Sequence, residues 1–331
     1  MKLHENEQLF REAIQFTAQQ MGIPEIFIEK DYWVTFALFT IFKSGLGTEV
    51  VFKGGTSLLK CYGLIKRFSE DIDLVVLRRE GESNNKLTGK IRAISEIVST
   101  TLPEVDLPKV TVKMGMNRKT AHAYKKQFPG EYGQIRDLII VEATWLGYYE
   151  PYTEMPINSF IYDMMLSTGQ QKIAEEYHLL PFTAKVLSPT RTICEKIMSL
   201  VRFSYSEDPV GNLQLKIRHA YDLHQLLGVK EFSDFFNSTE FTDMLLKVGQ
   251  DDVASYKSNN EWLRNHPNES LIFKQLESTW AKIQGTYSNQ FKAMLFSEEI
   301  PTADQILQTL QIIKLRLSPI SWTIEVPEKV K

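Results

Sequence analysis

Residues 53–74 read Lys53-Gly54-Gly55-Thr56-Ser57-Leu58-Leu59-Lys60-Cys61-Tyr62-Gly63-Leu64-Ile65-Lys66-Arg67-Phe68-Ser69-Glu70-Asp71-Ile72-Asp73-Leu74. The apolar run Val50, Val51 and Phe52 leads into the glycine pair, a short helical stretch follows, and Asp71 and Asp73 then alternate with Ile72 and Leu74. On a strand, alternate side chains share a face, so the two aspartates point one way and Ile72 and Leu74 point into the core. Two carboxylates on one face repel each other unless a cation lies between them. Hard oxygen ligands of this kind suit Mg²⁺, which commonly binds one or two carboxylates together with substrate phosphates. The glycines let the backbone approach a phosphate closely, and the helix start behind them offers free N–H groups. The combination implies metal-dependent chemistry on a nucleoside triphosphate.

Working outward, residues 5–20 and 24–43 carry helical apolar spacing, the second more apolar and with Pro24 near its first turn. Strands are expected at 49–53 and 71–77, a polar loop at 81–89 and a helix near 88–101. Three β-rich runs follow at 108–116, 120–128 and 136–146, the last with Glu142 inside an apolar stretch. A proline-punctuated stretch (Pro151, Pro156) precedes a helix near 161–176 and a short strand at 182–187. Beyond Pro189 the pattern is helical, with helices expected at 190–204, 212–227, 239–249, 269–283 and 302–316. Strands with helices, then helices alone, argue for an α+β domain over residues 1–188 and a helical domain over 189–331.

The 331 residues are 43% hydrophobic and 24% charged, as in an ordinary globular protein with room for two domains. A net charge of −3 sets up no global basic field for nucleic acid. Cys61 and Cys194 are too few for a disulfide framework and read as core thiols. The six histidines form no metal-spaced cluster. The polar N-terminal residues lack an apolar signal core, and there is no apolar run of about 20 residues to span a membrane. The chain therefore reads as cytoplasmic.

The run Gly54-Gly55-Thr56-Ser57-Leu58, followed by Arg67-Phe68-Ser69-Glu70-Asp71-Ile72-Asp73-Leu74, resembles the AbiEii/AbiGii toxin family. Ser188-Pro189-Thr190-Arg191-Thr192-Ile193-Cys194-Glu195-Lys196 is similar to that family's second block, and Arg218-His219-Ala220-Tyr221-Asp222-Leu223 to a later one. The matched blocks run from about 29 to 227. The resemblance implies a nucleotidyltransferase-type α+β fold with a mixed sheet, a C-terminal helical bundle, and the toxin half of a type IV toxin–antitoxin system.

On this resemblance Asp71 and Asp73 are expected to hold Mg²⁺; an exposed strand edge with two solvated carboxylates is the alternative. Gly54, Gly55, Thr56 and Ser57 are expected to cradle phosphate, although Thr and Ser also cap helices. Lys53 either adds a phosphate charge or is solvated. Glu142 is the candidate third carboxylate, because an unpaired charge on an apolar strand is costly without a partner; burial against an Arg or Lys is the alternative reading, and Asp137 is the rival carboxylate. Arg67 and Ser69 either brace an acidic side chain or touch the triphosphate. Lys196 is expected to reach the phosphates, as a lysine point charge suits that task. Asp222 is expected to position nucleotide, acceptor or Lys196. For Arg191–Glu195 and Arg218–Asp222, i,i+4 ion pairs are the alternative. Arg118, Lys119, Lys125 and Lys126, with Tyr124 and Phe128, form a basic and aromatic strand region that either touches RNA or is a solvated face.

The implied reaction is transfer of a nucleoside monophosphate from a nucleoside triphosphate to an acceptor hydroxyl, in a cleft with Asp71, Asp73 and Glu142 on one side and Lys196 and Asp222 on the other. The resemblance points to the 3′ end of tRNA as acceptor and to an antitoxin partner that need not bind directly. A small-molecule acceptor such as an aminoglycoside, a protein acceptor, or nucleotide binding without turnover are the alternatives.

Overall fold

The computed structural model describes residues 1–69, 71–108, 110–113, 115–130, 136–147, 149–256, 259–297 and 299–328. The chain divides into two compact units, Met1–Leu187 and Ser188–Lys331.

The first unit begins with helix α1 (Glu7–Met21), capped by the Asn6 side chain and ended by Gly22 at φ 65°. Helix α2 (Glu25–Phe42) follows, then β1 (Val50–Lys53), α3 (Gly54–Lys60), β2 (Asp71–Val76), α4 (Asn84–Ser99), β3 (Glu104–Val105), β4 (Asn117–His122), β5 (Ile139–Thr144), β6 (Tyr152–Ile157), α5 (Phe160–Ser167), α6 (Gln171–Glu176) and β7 (Phe182–Leu187). The strands form one mixed sheet in the order β3-β4-β5-β2-β1-β7-β6. Strand β2 runs antiparallel to β1 and parallel to β5, and β1 runs parallel to β7. Ile72 and Leu74 are buried, as period-2 alternation requires. Arg118, on the same side as buried Thr120 and His122, donates to Ser95 of α4 at 2.6 Å, so α4 covers that face of β4.

Helix α2 is buried along most of its length, including three consecutive charges, Glu29, Lys30 and Asp31. Each has partners. Glu29 accepts from the Gln127 and Phe128 amides at 2.6 and 3.1 Å. Lys30 donates to the Arg136 carbonyl. Asp31 accepts from Lys60 at 2.6 Å and from the Phe160 amide at 2.9 Å. Buried charge is tolerated only when paired in this way, and here it ties α2 to four separate places along the chain.

Several boundaries differ from expectation. Helix α4 starts at Asn84, inside the expected polar loop, because Ser83 caps it through the Lys86 amide. The expected strand at 108–116 supplies, among its described residues, only a bridge from Val112 to Lys119. The strand expected at 120–128 is β4 at 117–122, because beyond His122 the backbone turns to Glu29. The helix expected at 161–176 is two helices, broken at Gly169 with φ 73°. Strand β6 was not expected. It is a sheet edge, where the missing N–H of Pro156 breaks no ladder.

The second unit contains α7 (Pro189–Phe203), α8 (Pro209–Leu215), α9 (Ile217–Leu227), α10 (Lys230–Asn237), α11 (Thr239–Ser255), α12 (Leu271–Lys274), α13 (Leu276–Thr286) and α14 (Ala303–Leu317). Ser188 caps α7, with Pro189 in its first turn. Thr302 and Gln305 form a capping box at α14. The single helices expected at 212–227 and 269–283 are each split in two, α11 runs beyond 249, and α10 is additional. Trp322 docks the C-terminal segment through its indole N–H on the Leu263 carbonyl at 2.7 Å.

Candidate active site

The acidic site is built by sheet register. Strand pairing sets Lys53 opposite Asp73, Asp73 opposite Glu142, and Glu142 opposite Lys119. Directly paired residues share a face, so four strands present a row Lys53–Asp73–Glu142–Lys119. Asp71, two residues before Asp73, joins that face beside the row. Arg136 lies with Nη1 4.0 Å from Asp71 Oδ1.

Both glycines are required by what lies against them. Gly54 has φ 82°, and a Cβ there would sit 2.1 Å from Asp73 Oδ2. A Cβ on Gly55 would sit 2.5 Å from Arg67 Nη2 and 2.9 Å from Ser69 Oγ. Arg67 is buried, with Nη1 donating to the Phe68 carbonyl at 3.2 Å and Nη2 packed beside Gly55. The Thr56 hydroxyl lies 2.6 Å from the Asp71 carbonyl, to which it donates, and 3.0 Å from Ser69 Oγ. Ser57 donates to the Gly54 carbonyl at 2.9 Å. Thr56 and Ser57 are fully buried, and these hydroxyls bind the loop to β2 and to itself.

Electrostatics follow from the row. Burial, reinforced by the charges of Glu142 and Asp71 and opposed by Lys119 and Lys53, pushes the Asp73 carboxyl up to about 7. Glu142 goes the other way: burial disfavours its charge, but Lys119 and the Asn117 amide outweigh that and hold it below the usual carboxylate range. Asn117 Nδ2 donates to Glu142 Oε1 at 3.0 Å, and Lys119 Nζ to Oε2 at 2.9 Å. Asp137, the rival third carboxylate, lies before β5 and pairs with Lys126 at the surface.

The basic and aromatic region divides among separate partners. Lys119 belongs to the acidic row, Arg118 faces α4, Lys125 pairs with Glu7, and Tyr124 and Phe128 are buried. These side chains therefore do not share one face of the sheet.

In the second unit, Lys196 of α7 and Asp222 of α9 form a buried ion pair at 2.7 Å, with 5% and 0% of their side chains exposed. Asp222 is therefore an interior residue and not part of a surface pair. Arg191 keeps the i,i+4 contact with Glu195 at 3.1 Å and adds Asp251 of α11 at 2.6 Å, which makes it a buried anchor between helices.

A family model described as nucleotidyl transferase AbiEii toxin of a type IV toxin–antitoxin system matches residues 37–309. The chain belongs to this family. It is a nucleotidyltransferase, and its family implies a nucleoside triphosphate as substrate and an antitoxin as partner. Among solved structures it is similar to MenT4, a nucleotidyltransferase toxin from Mycobacterium tuberculosis H37Rv, at 16% identity and a TM-score of 0.48, over 93% of this chain and 98% of that one. No curated protein matches. No helix among the described residues is long and apolar enough to cross a membrane.

For this AbiEii chain the donor set fits a hard divalent cation. It consists of carboxylate oxygens on adjacent strands, with a glycine clearing the space beside Asp73. Among the described residues no three His, Cys, Asp or Glu side chains already form a metal-holding group, and both Glu142 oxygens accept from within the sheet. Asn117, and Lys119 as a partner of Glu142, were missed by sequence reasoning, which placed Lys119 only in a basic strand region. Their signal was alternation with Glu142 across a strand pair, hidden by the displaced β4.

Proposed function

We propose that this AbiEii nucleotidyltransferase moves a nucleoside monophosphate from a nucleoside triphosphate to an acceptor hydroxyl and releases pyrophosphate, with Asp71, Asp73 and Glu142 holding Mg²⁺. The observation that carries this reading is the register that sets Asp73 opposite Glu142 with Asp71 on the same face. Bound there, Mg²⁺ would supply charge stabilisation at the transferring phosphorus and a more acidic acceptor hydroxyl. Asp71 and Asp73 orient oxygen donors from one strand. Gly54 leaves the backbone close to Asp73, and Arg67, Ser69, Thr56 and Ser57 fix that loop. Lys196 is the proposed cation for the departing phosphates, with Asp222 holding its ammonium.

The proposed acceptor is the 3′ end of tRNA, which would place the reaction in the cytoplasm. Blocking that end stops translation, the outcome a toxin requires. The test is incubation of α-phosphate-labelled nucleoside triphosphates with tRNA, with protein and with an aminoglycoside, with Mg²⁺ present. Label on tRNA alone is expected. Label only on protein or aminoglycoside would replace the acceptor and keep the reaction.

A further inference from the structure

Both oxygens of Glu142 are engaged from one neighbouring strand. Asn117 and Lys119 occupy alternate positions of β4, so their side chains emerge on the Glu142 face, and Lys119 lies directly opposite Glu142 in the ladder. The amide takes Oε1 at 3.0 Å and the ammonium takes Oε2 at 2.9 Å. The Lys119 side chain is 23% exposed and that of Glu142 32%, so the pair stands on the sheet face and is not sealed in a core. The row therefore carries its own cation on its third carboxylate. An oxygen in contact with an ammonium cannot also enter the inner shell of a divalent ion without bringing two like charges close together.

We propose that Lys119 is the built-in counter-cation of the acidic row: it competes with the divalent cation, yields Glu142 Oε2 when that cation binds, and so sets the site's affinity. This rests on the metal reading above. Before cation binding, Lys119 offsets repulsion among three carboxylates. After it, the released ammonium remains beside the row, where a polyphosphate carries complementary charge. Lys119 acts through Glu142 and is a positioning residue. Asn117 holds the other oxygen without charge, so Glu142 stays aimed while Lys119 moves.

The test is Mn²⁺ binding to the full-length protein, with free Mn²⁺ measured by electron paramagnetic resonance and no nucleotide present. Lys119→Met and Lys119→Gln, both neutral, should bind Mn²⁺ roughly tenfold more tightly than wild type, the scale on which groups beside metal ligands tune affinity. Lys119→Arg, which keeps the charge, should stay near wild type. Glutamine retains a donor for Glu142, so agreement between the two neutral variants identifies charge as the cause and guards against misfolding of one of them. If a neutral, folded variant binds equally or more weakly, Lys119 merely supports Glu142 and the inference is overturned. Asp73→Asn separates this from the reading beneath it. Binding unaffected by Asp73→Asn would overturn the metal reading itself. Binding lost in Asp73→Asn but not tightened in the neutral variants overturns only the role of Lys119. No Mn²⁺ binding in wild type or in any Lys119 variant overturns both.

Discussion

At Gly54 two independent demands fall on one residue. Its φ of 82° lies in the left-handed region, and Asp73 Oδ2 occupies the space a Cβ would need. Gly54→Ala should therefore cost about 2–4 kcal/mol through strain and overlap together. Relief would come by moving Asp73, so transfer activity should fall at least about a hundredfold. Denaturant unfolding and a transfer assay on the same preparation check both numbers. The glycine pair and the Asp-x-Asp alternation were legible in the sequence because each is a local pattern. The fate of the Thr56 and Ser57 hydroxyls was not legible for Thr56 above all, since its partners, Ser69 and the Asp71 carbonyl, lie 13 and 15 residues away. A hydroxyl suits a phosphate, a cap or a carbonyl equally well until the neighbours are known.

At the level of elements, β4 shows what a small displacement does. Placing the strand at 120–128 leaves Asn117 and Lys119 outside it, whereas β4 at 117–122 puts both on the Glu142 face. Glu142 itself was legible, as a charge on an apolar strand needs a reason. Its actual partners were not, because cross-strand register is a tertiary property. Helix α2 teaches the same point: its periodicity marked a helix, but the partners of its three buried charges lie in distant parts of the chain. The Lys196–Asp222 pair joins α7 to α9, and removing one partner of a buried pair typically costs about 3–5 kcal/mol, while removing both often costs far less. Lys196→Met and Asp222→Asn should each destabilise strongly, and the double variant should regain much of the loss. If Lys196 also serves the reaction, the double variant will be stable and still inactive. Thermal melts beside the transfer assay separate the two roles.

At the scale of the whole chain, an α+β unit of residues 1–187 precedes a helical unit of residues 188–331. That order was readable because period-2 runs stop near 187 and 3.6-period runs continue, with Ser188 and Pro189 opening the first helix after the change. Helix breaks such as Gly169 and the α8–α9 junction were harder, since apolar spacing continues across them. The central claim is that the row on β2 and β5 performs nucleotidyl transfer. The measurement that tests it most directly compares nucleoside triphosphates labelled at the α or at the γ phosphate, with wild type and Asp73→Asn. The account predicts that α label moves to the acceptor, that γ label leaves as pyrophosphate, and that both changes vanish in Asp73→Asn. Transfer of γ label to the acceptor, or full α-label transfer by the folded Asp73→Asn protein, would contradict it.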